Sequence, residues 1–277
     1  MFYFFINFLC LANDIKPLEE FNINDRILIF APHPDDETLA TAGLIRRAIK
    51  SKAKIRVVLY TNGDNNELAF IVYNKKPVFK KKEFINMGLR RRKESIKAMI
   101  FLGLKSSSVI TLGYPDFGTL EIFTKYWDTK KPYRSMFPRL DCVSYKGSLS
   151  FGAPYVGESI LADLKNIILD FNPTKVFVSH PNDTNPDHRS LFLFLQVALW
   201  DLEGRIKRPE VFCYLIHYVN WPKPRGYHFN LKLIPPCDLN LNNYSWYELN
   251  LNSKEIEKNI RHYFFTKPRL FRILDTS

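Results

Sequence analysis

The sequence predicts an α/β protein built on a mostly parallel sheet, and three observations lead to this fold class. Short apolar runs, such as residues 26–31, alternate with longer stretches of helical spacing, such as residues 38–50. Strands that alternate with helices form parallel sheets. The run at residues 26–31 is continuously apolar, as expected of a strand covered on both faces. Polar residues follow several of the runs, which is where α/β proteins place their ligands.

The first half of the chain predicts three strands and two helices. The strands are expected at residues 26–31, 55–60 and 109–112, and the helices at residues 38–50 and 83–102. The second helix ends at Gly103, a residue typical of helix C-termini. Its predicted apolar face consists of Ile85, Leu89, Ile96, Met99 and Ile100.

The second half continues the alternation. We expect helices at residues 158–171 and 186–202 and strands at residues 176–179 and 210–219, followed by strands and turns at residues 225–252 and a last helix at residues 254–264. Pro186 suits the first position of its helix, where a missing N–H costs nothing. Residues 121–155 have no clear period and are rich in aromatic residues. These rings either hold sugar faces or fill a second small core, and both interpretations stay open.

Length and composition fit a single domain over residues 24–277, preceded by an apolar segment at residues 1–20. The net charge of +12 favours a solvated basic face, with an anionic substrate as the alternative. The basic runs lack interleaved aromatic residues, so no nucleic-acid partner is expected. The four cysteines form no CxxC pair, which argues against a cysteine zinc cluster.

The apolar start of the chain carries a prediction about location. Residues 1–12 are similar to the apolar part of a secretory signal peptide and are too short to span a bilayer. We therefore expect no stable membrane span. An extracytoplasmic location is favoured, and a cytoplasmic one is the alternative.

The first predicted strand runs directly into a histidine and three acids, His33, Asp35, Asp36 and Glu37. Because His33 and Asp36 are three residues apart across a turn, their side chains can face one point, and His188 would come from another strand's exit loop. Two histidines and one aspartate with an open fourth position are typical of catalytic zinc. The alternative is a loop histidine held by a neighbouring carboxylate.

Two motifs carry a resemblance to a known family. The stretch Ala-Pro-His-Pro-Asp-Asp-Glu at residues 31–37 resembles the A-H-P-D-D-E signature of the PIG-L/LmbE-like zinc-dependent N-deacetylases. The stretch Asn-Pro-Asp-His-Arg at residues 185–189 resembles their second signature, H-P-D-H followed by Arg. The resemblance spans about residues 26–236. It implies a Rossmann-like sheet with helices on both faces, one Zn²⁺ per chain, and hydrolysis of the N-acetyl amide of an N-acetylglucosamine-type sugar conjugate.

The resemblance also implies roles for single residues. It assigns the metal to His33, Asp36 and His188. It assigns the general base to Asp35, for which an N-cap role is the simpler alternative. Asp187 is expected to orient a ligand or contact substrate. Arg92 resembles the substrate-binding arginine, with Arg91 as the other possible match and an exposed helix cation as the simplest interpretation of either.

At Asn185 the sequence departs from the family, which often has a histidine there. Asparagine can donate a hydrogen bond to an oxyanion, but it cannot deliver a proton. Either Asp35 acts as both base and acid, or another histidine contributes, and His180 and His217 are the candidates. A histidine that simply satisfies local structure is the alternative for each. We place His217 among the substrate-binding residues. The rival function is a non-catalytic carbohydrate-binding protein on the same fold, and the sequence predicts no oligomeric state.

Overall fold

The computed structural model describes residues 15–65, 80–128, 130–224, 231–236, 239, 245–252 and 255, and it confirms the predicted α/β fold. The main sheet has five parallel strands in the described residues, in the order β4-β3-β2-β5-β6. These are β2 (Arg26–Ala31), β3 (Lys54–Thr61), β4 (Val109–Tyr114), β5 (Lys175–Ser179) and β6 (Glu210–Tyr214). A separate parallel pair joins β1 (Lys16–Pro17) to β7 (Tyr247–Glu248).

Helices cover both faces of the main sheet, as predicted. They are α1 (Asp36–Lys50), α2 (Lys81–Leu102), α3 (Thr119–Lys125), α4 (Gly157–Phe171) and α5 (Pro186–Asp201). Alternate residues of β2 point to opposite faces because the side chains of a strand have a period of two. Ile29 packs in the core under α1 and α2, and Phe30 packs in the core under α3, α4 and α5. No helix in the described ranges is long and apolar enough to cross a membrane.

Helix α2 buries a different face from the predicted one. Of the predicted residues only Met99 is fully buried, whereas Ile100 is exposed. The buried face includes two polar residues: Arg91 donates to Gly63 in the loop after β3, and Ser95 donates to Glu37 in the first turn of α1. Hydrophobic spacing missed this face because two of its positions are polar. The predicted end at Gly103 is confirmed, with φ of 108°.

Several elements differ from the prediction. Strand β4 continues through Tyr114, and β6 ends at Tyr214 instead of residue 219. Helix α3 begins at Thr119 and extends into residues 121–155, the region predicted to lack a period. In that region Tyr145 and Tyr155 are buried, and Trp127 stacks on Phe194, so these rings fill a core. The apolar start at residues 1–14 and most of the predicted helix 254–264 lie outside the described residues.

The strand order places the site. Strand β2 is central, with β3 on one side and β5 on the other, so the chain reverses its winding direction there. Ligands in doubly wound folds bind at such a switch point, beyond the carboxyl ends of the strands. The loops that follow β2 and β5 carry both sequence motifs and meet at this edge.

Candidate active site

The loop after β2 is a tight turn fixed by its own acids. The backbone N–H of His33 donates to Asp36 Oδ2, and that of Asp35 donates to Glu37 Oε2, each at 2.9 Å. Asp35 has φ of 138°, a backbone conformation that costs a non-glycine residue energy and is concentrated at functional sites. Asp35 precedes α1, but its side chain makes no capping bond. The simpler N-cap interpretation of its carboxylate is therefore not supported.

Three predicted ligands converge. His33 Nδ1 lies 3.3 Å from Asp36 Oδ2, His188 Nε2 lies 3.1 Å from the same oxygen, and the two nitrogens are 3.3 Å apart. All three residues are buried. Donor atoms about 2.0–2.1 Å from a tetrahedral zinc are separated by about 3.3 Å. The group therefore has the size and the chemistry to hold a metal ion.

The electrostatics of the group also suit a cation. Burial alone would lower the pKa of His188, but the carboxylates of Asp36 and Asp183 outweigh it and raise the pKa to about 9. Burial likewise opposes protonation of His33, and the carboxylates of Asp116, Asp187 and Asp36 raise its pKa well above the usual value. A site that stabilises positive charge on its histidines stabilises a metal cation in the same way.

Three further carboxylates lie beside the outer nitrogen atoms of the two histidine rings, His33 Nε2 and His188 Nδ1. Asp116 Oδ1 and Asp187 Oδ2 each lie 3.1 Å from His33 Nε2, and Asp183 Oδ2 lies 3.1 Å from His188 Nδ1. Such carboxylates fix the tautomer of a metal-binding histidine, so the inner nitrogens are left free to coordinate. His33, Asp116 and Asp187 also form a second group that could hold a metal. The nitrogen that His33 offers to this second group is Nε2, which carries the proton when Nδ1 binds metal.

A cavity of about 470 Å³ opens onto two of the candidate ligands, His33 and Asp36. Its lining is His33, Asp35, Asp36, Leu39, Arg91, Asp116, Phe117, Thr184, Asn185, Pro186 and His217. Its size lies in the range of about 300–1,000 Å³ typical of small-molecule sites. The structure thus brings the predicted base Asp35, together with Asn185 and His217, to the same space as the candidate ligands.

Arg92 and Asp187, both predicted to bind substrate, do not line this cavity. The Arg92 guanidinium donates to the carbonyl oxygens of Lys146 and Gly147 and ties α2 to the loop between α3 and α4. Asp187 is fully buried and accepts from the backbone N–H groups of Phe117 and Thr119, which fits the alternative orienting role.

Arg91, the alternative to Arg92, lies at the cavity. Its guanidinium donates to Gly63 O at 2.8 Å and to Pro34 O and Asp35 Oδ2 at 3.3 Å. Arg91 therefore fixes the carboxylate predicted to be the base and contributes a positive charge to the cavity wall. From the sequence, Arg91 and Arg92 were both possible matches to the substrate-binding arginine. Knowing which face of α2 is buried is what identifies Arg91 as the one at the cavity.

Asn185 is the N-cap of α5: its side-chain oxygen accepts from the Asp187 N–H at 2.9 Å. This bond uses the amide oxygen, so the amide NH₂ remains as the donor available at the cavity. The two histidines considered as proton donors, His180 and His217, differ in their position relative to the cavity. His217 lines the cavity with its ring 4.9 Å from that of His188, whereas His180 is buried and accepts from the Asn182 N–H.

The sequence did not assign roles to Asp116 and Asp183, although both lie in strand exit loops. Asp183 Oδ2 accepts from the backbone N–H of His217 at 2.9 Å as well as facing His188. Their only signal in the sequence was a carboxylate that follows a strand. The apolar lining residues Leu39 and Phe117 gave no functional signal.

Comparison with known proteins agrees with this geometry. The fold, the buried His/Asp group and the family match define a hydrolase of the N-deacetylase class. The chain belongs to the PIG-L family, described as GlcNAc-PI de-N-acetylase, whose profile matches residues 28–199. No curated protein gives a significant match.

The chain is similar to several solved structures. One is a triple mutant of a deacetylase from the teicoplanin biosynthetic pathway, with 15% identity, coverage of 91% of this chain and 85% of that one, and a TM-score of 0.51. Another is the N,N'-diacetylchitobiose deacetylase of Pyrococcus horikoshii, with 17% identity, 93% and 80% coverage, and a TM-score of 0.44. A third is a 4-carboxy-2-hydroxymuconate hydratase of Pseudomonas putida KT2440, with 16% identity, 68% and 62% coverage, and a TM-score of 0.44.

Proposed function

We propose that this protein is a zinc-dependent enzyme that removes the acetyl group from an N-acetylglucosamine-type sugar conjugate. The observation that carries the proposal is the convergence of His33 Nδ1, Asp36 Oδ2 and His188 Nε2 within 3.3 Å of one another, beside Asp35 and inside an open cavity. Membership of the PIG-L family supports the sugar amide as substrate.

His33, Asp36 and His188 would hold one zinc ion. When bound, zinc polarises a carbonyl and lowers the pKa of water. Asp35 accepts the proton of the attacking water, and its ion pair with Arg91 keeps the carboxylate in place for that transfer. The Asn185 amide donates a hydrogen bond to the developing oxyanion. Asp35 then passes this proton to the departing amine, because burial lowers the pKa of His217 and leaves its ring neutral at pH 7. His217 lines the cavity as a hydrogen-bonding group for the substrate.

The test is acetate release by zinc-loaded protein from a panel of N-acetylglucosamine conjugates. Asp35→Asn removes the base but keeps the shape of the side chain, so we expect activity to fall by about 10²–10⁴-fold with zinc content unchanged. Asp170→Asn is the control, since that acid pairs with Arg56 at the surface. An Asp35→Asn protein as active as wild type would contradict the assignment.

The rival interpretation is a carbohydrate-binding protein with no turnover. The observation in its favour is that Asn185 takes a place where a proton donor would be expected and uses its oxygen to cap α5. Zinc-loaded protein that binds the conjugates, measured by calorimetry, but releases no acetate from any of them would support this interpretation.

A further inference from the structure

The candidate cavity has a polar floor and two apolar residues at its mouth. The floor is formed by His33 and Asp36 of the metal-binding group together with Asp35, Arg91 and Asp116. Leu39 and Phe117 line the same cavity, yet they are 53% and 49% exposed. A lining residue with half of its surface in water stands where the cavity meets solvent.

The Phe117 side chain is held at this place by its backbone. Its φ is 60°, a conformation that is uncommon for any residue with a side chain and costly for a bulky one. Its N–H donates to Asp187 Oδ2 at 2.6 Å, and the other oxygen of Asp187 accepts from Thr119. Such backbone conformations persist where surrounding structure enforces them, and they are concentrated at ligand sites.

Leu39 is placed by a second rigid element. It lies in the first turn of α1, and its backbone N–H donates to Asp35 O at 2.9 Å. The apolar face of α1 packs into the core through Leu44, Ile45 and Ala48. A leucine with 53% exposure therefore contributes nothing to that core, and its side chain is available at the cavity mouth.

We propose that Leu39 and Phe117 form a specificity-determining subsite for an apolar group attached to the sugar. This inference rests on the proposed function, because the reacting amide at the floor directs the sugar into the cavity. The group carried by the sugar then lies at the mouth. Burying apolar surface against a leucine and a phenylalanine stabilises the complex in proportion to the area removed from water.

Acetate release from octyl and methyl β-N-acetylglucosaminides tests the subsite, because the two substrates differ only in the apolar chain. We expect wild type to prefer the octyl glycoside by about tenfold or more in kcat/KM, the gain from burying roughly two methylene groups. Phe117→Ala and Leu39→Ala should reduce the preference, mainly by raising KM for the octyl glycoside. Phe117→Tyr, which keeps the ring, should retain it.

The matched control is Phe151→Ala, because Phe151 is 59% exposed and does not line the cavity. Equal kcat/KM for the two glycosides in wild type, or an unchanged preference in both Phe117→Ala and Leu39→Ala, would overturn the subsite. So would an equal loss of preference in the control.

Calorimetric binding of both glycosides to the Asp35→Asn protein separates this inference from the proposed function. Tighter binding of the octyl glycoside that depends on Phe117, without acetate release by wild type, would keep the subsite and reject the enzyme. Acetate release from both glycosides with no binding difference would keep the enzyme and reject the subsite. If neither glycoside binds or reacts, both are rejected.

Discussion

At Gly63 the backbone makes room for the Arg91 guanidinium. The glycine has φ of 61°, and a Cβ built there would overlap the arginine side chain. The carbonyl of the same residue accepts from Arg91 Nη1. The contact between α2 and the loop after β3 thus depends on the absence of one carbon atom.

Gly63→Ala is therefore expected to displace Arg91 from Asp35, to lower acetate release at least about tenfold, and to lower the free energy of unfolding by about 1–3 kcal/mol. Denaturant unfolding and acetate release measure the two effects. Gly204→Ala is the matched control, since Gly204 also has positive φ, 77°, but nothing lies within 4 Å of its added Cβ. Equal losses in the two variants would mean that strain alone, and not the Arg91 contact, causes the effect.

A buried carboxyl group at Asp64 makes stability depend on pH. Burial and the charge of Asp116 raise the pKa of Asp64 to about 7, against a usual value of 3.8, and Tyr145 donates a hydrogen bond to it. Because the folded protein holds this proton more tightly than the unfolded chain, the contribution of Asp64 to stability is present below pH 3.8 and is lost as the pH rises through about 7.

We expect the free energy of unfolding of wild type to fall relative to Asp64→Asn between about pH 4 and pH 7, by up to about 1.4 kcal/mol per pH unit. Chemical denaturation across this range measures the difference. A constant difference between the two proteins would show that Asp64 titrates normally.

At the scale of elements, a buried ion pair joins the starts of two central strands. Lys175 of β5 lies 3.1 Å from Asp25, the residue before β2. Burial works against ionisation of Asp25, but the Asn22 N–H and Lys175 outweigh it and lower the pKa of the carboxyl group. The stabilisation from Asp25 is therefore present above its usual pKa of 3.8 and is lost as the pH falls below it.

Lys175→Met keeps the length of the side chain but leaves Asp25 without its cation. We expect it to lower the free energy of unfolding by about 1–3 kcal/mol at neutral pH. The difference in the free energy of unfolding between Lys175→Met and wild type should become smaller below about pH 4, where Asp25 becomes protonated. Lys165→Met removes a more exposed pair with Asp201 and should cost less than about 1 kcal/mol. Similar losses for both lysines would argue against a special role for the buried pair.

Elements whose pattern reflects only packing were predicted well. The continuous apolar run of β2 predicted its bounds, and Gly103 predicted the end of α2. Helix α2 differed in its buried face. Arg91 and Ser95 are buried there because they bond to Gly63 and Glu37 near the site, and as polar residues they break the hydrophobic period. Short α3 was missed because seven residues hold too few turns to show a period.

In the candidate site, too, some features could be predicted from the sequence and others could not. The two motifs predicted which residues stand in the exit loops of β2 and β5, because spacing along the chain records that directly. They could not predict that Asp187 turns away from the cavity or that Phe117 faces it. Those orientations come from contacts between loops that lie far apart in the sequence.

For the whole molecule, metal binding should stabilise the fold. A ligand that binds only the folded state adds about 2.7 kcal/mol at 100 times its Kd. We expect chelation to lower the unfolding midpoint of the protein and zinc to restore it, followed by circular dichroism. Asp36→Asn has nearly the same shape but lacks the ligand charge, and its midpoint should respond much less to zinc. An identical response in both proteins would place the bound ion elsewhere.

His33 and His188 are 155 residues apart in the chain. Their nitrogens meet only when β5 has paired with β2, which is a contact between distant segments. During synthesis, a ribosome-bound chain that has not yet reached residue 188 carries two of the three candidate ligands, His33 and Asp36, and lacks the third. If the protein binds the proposed zinc ion, metal capture would report that β5 has paired with β2, and it would stabilise this contact between distant segments of the chain.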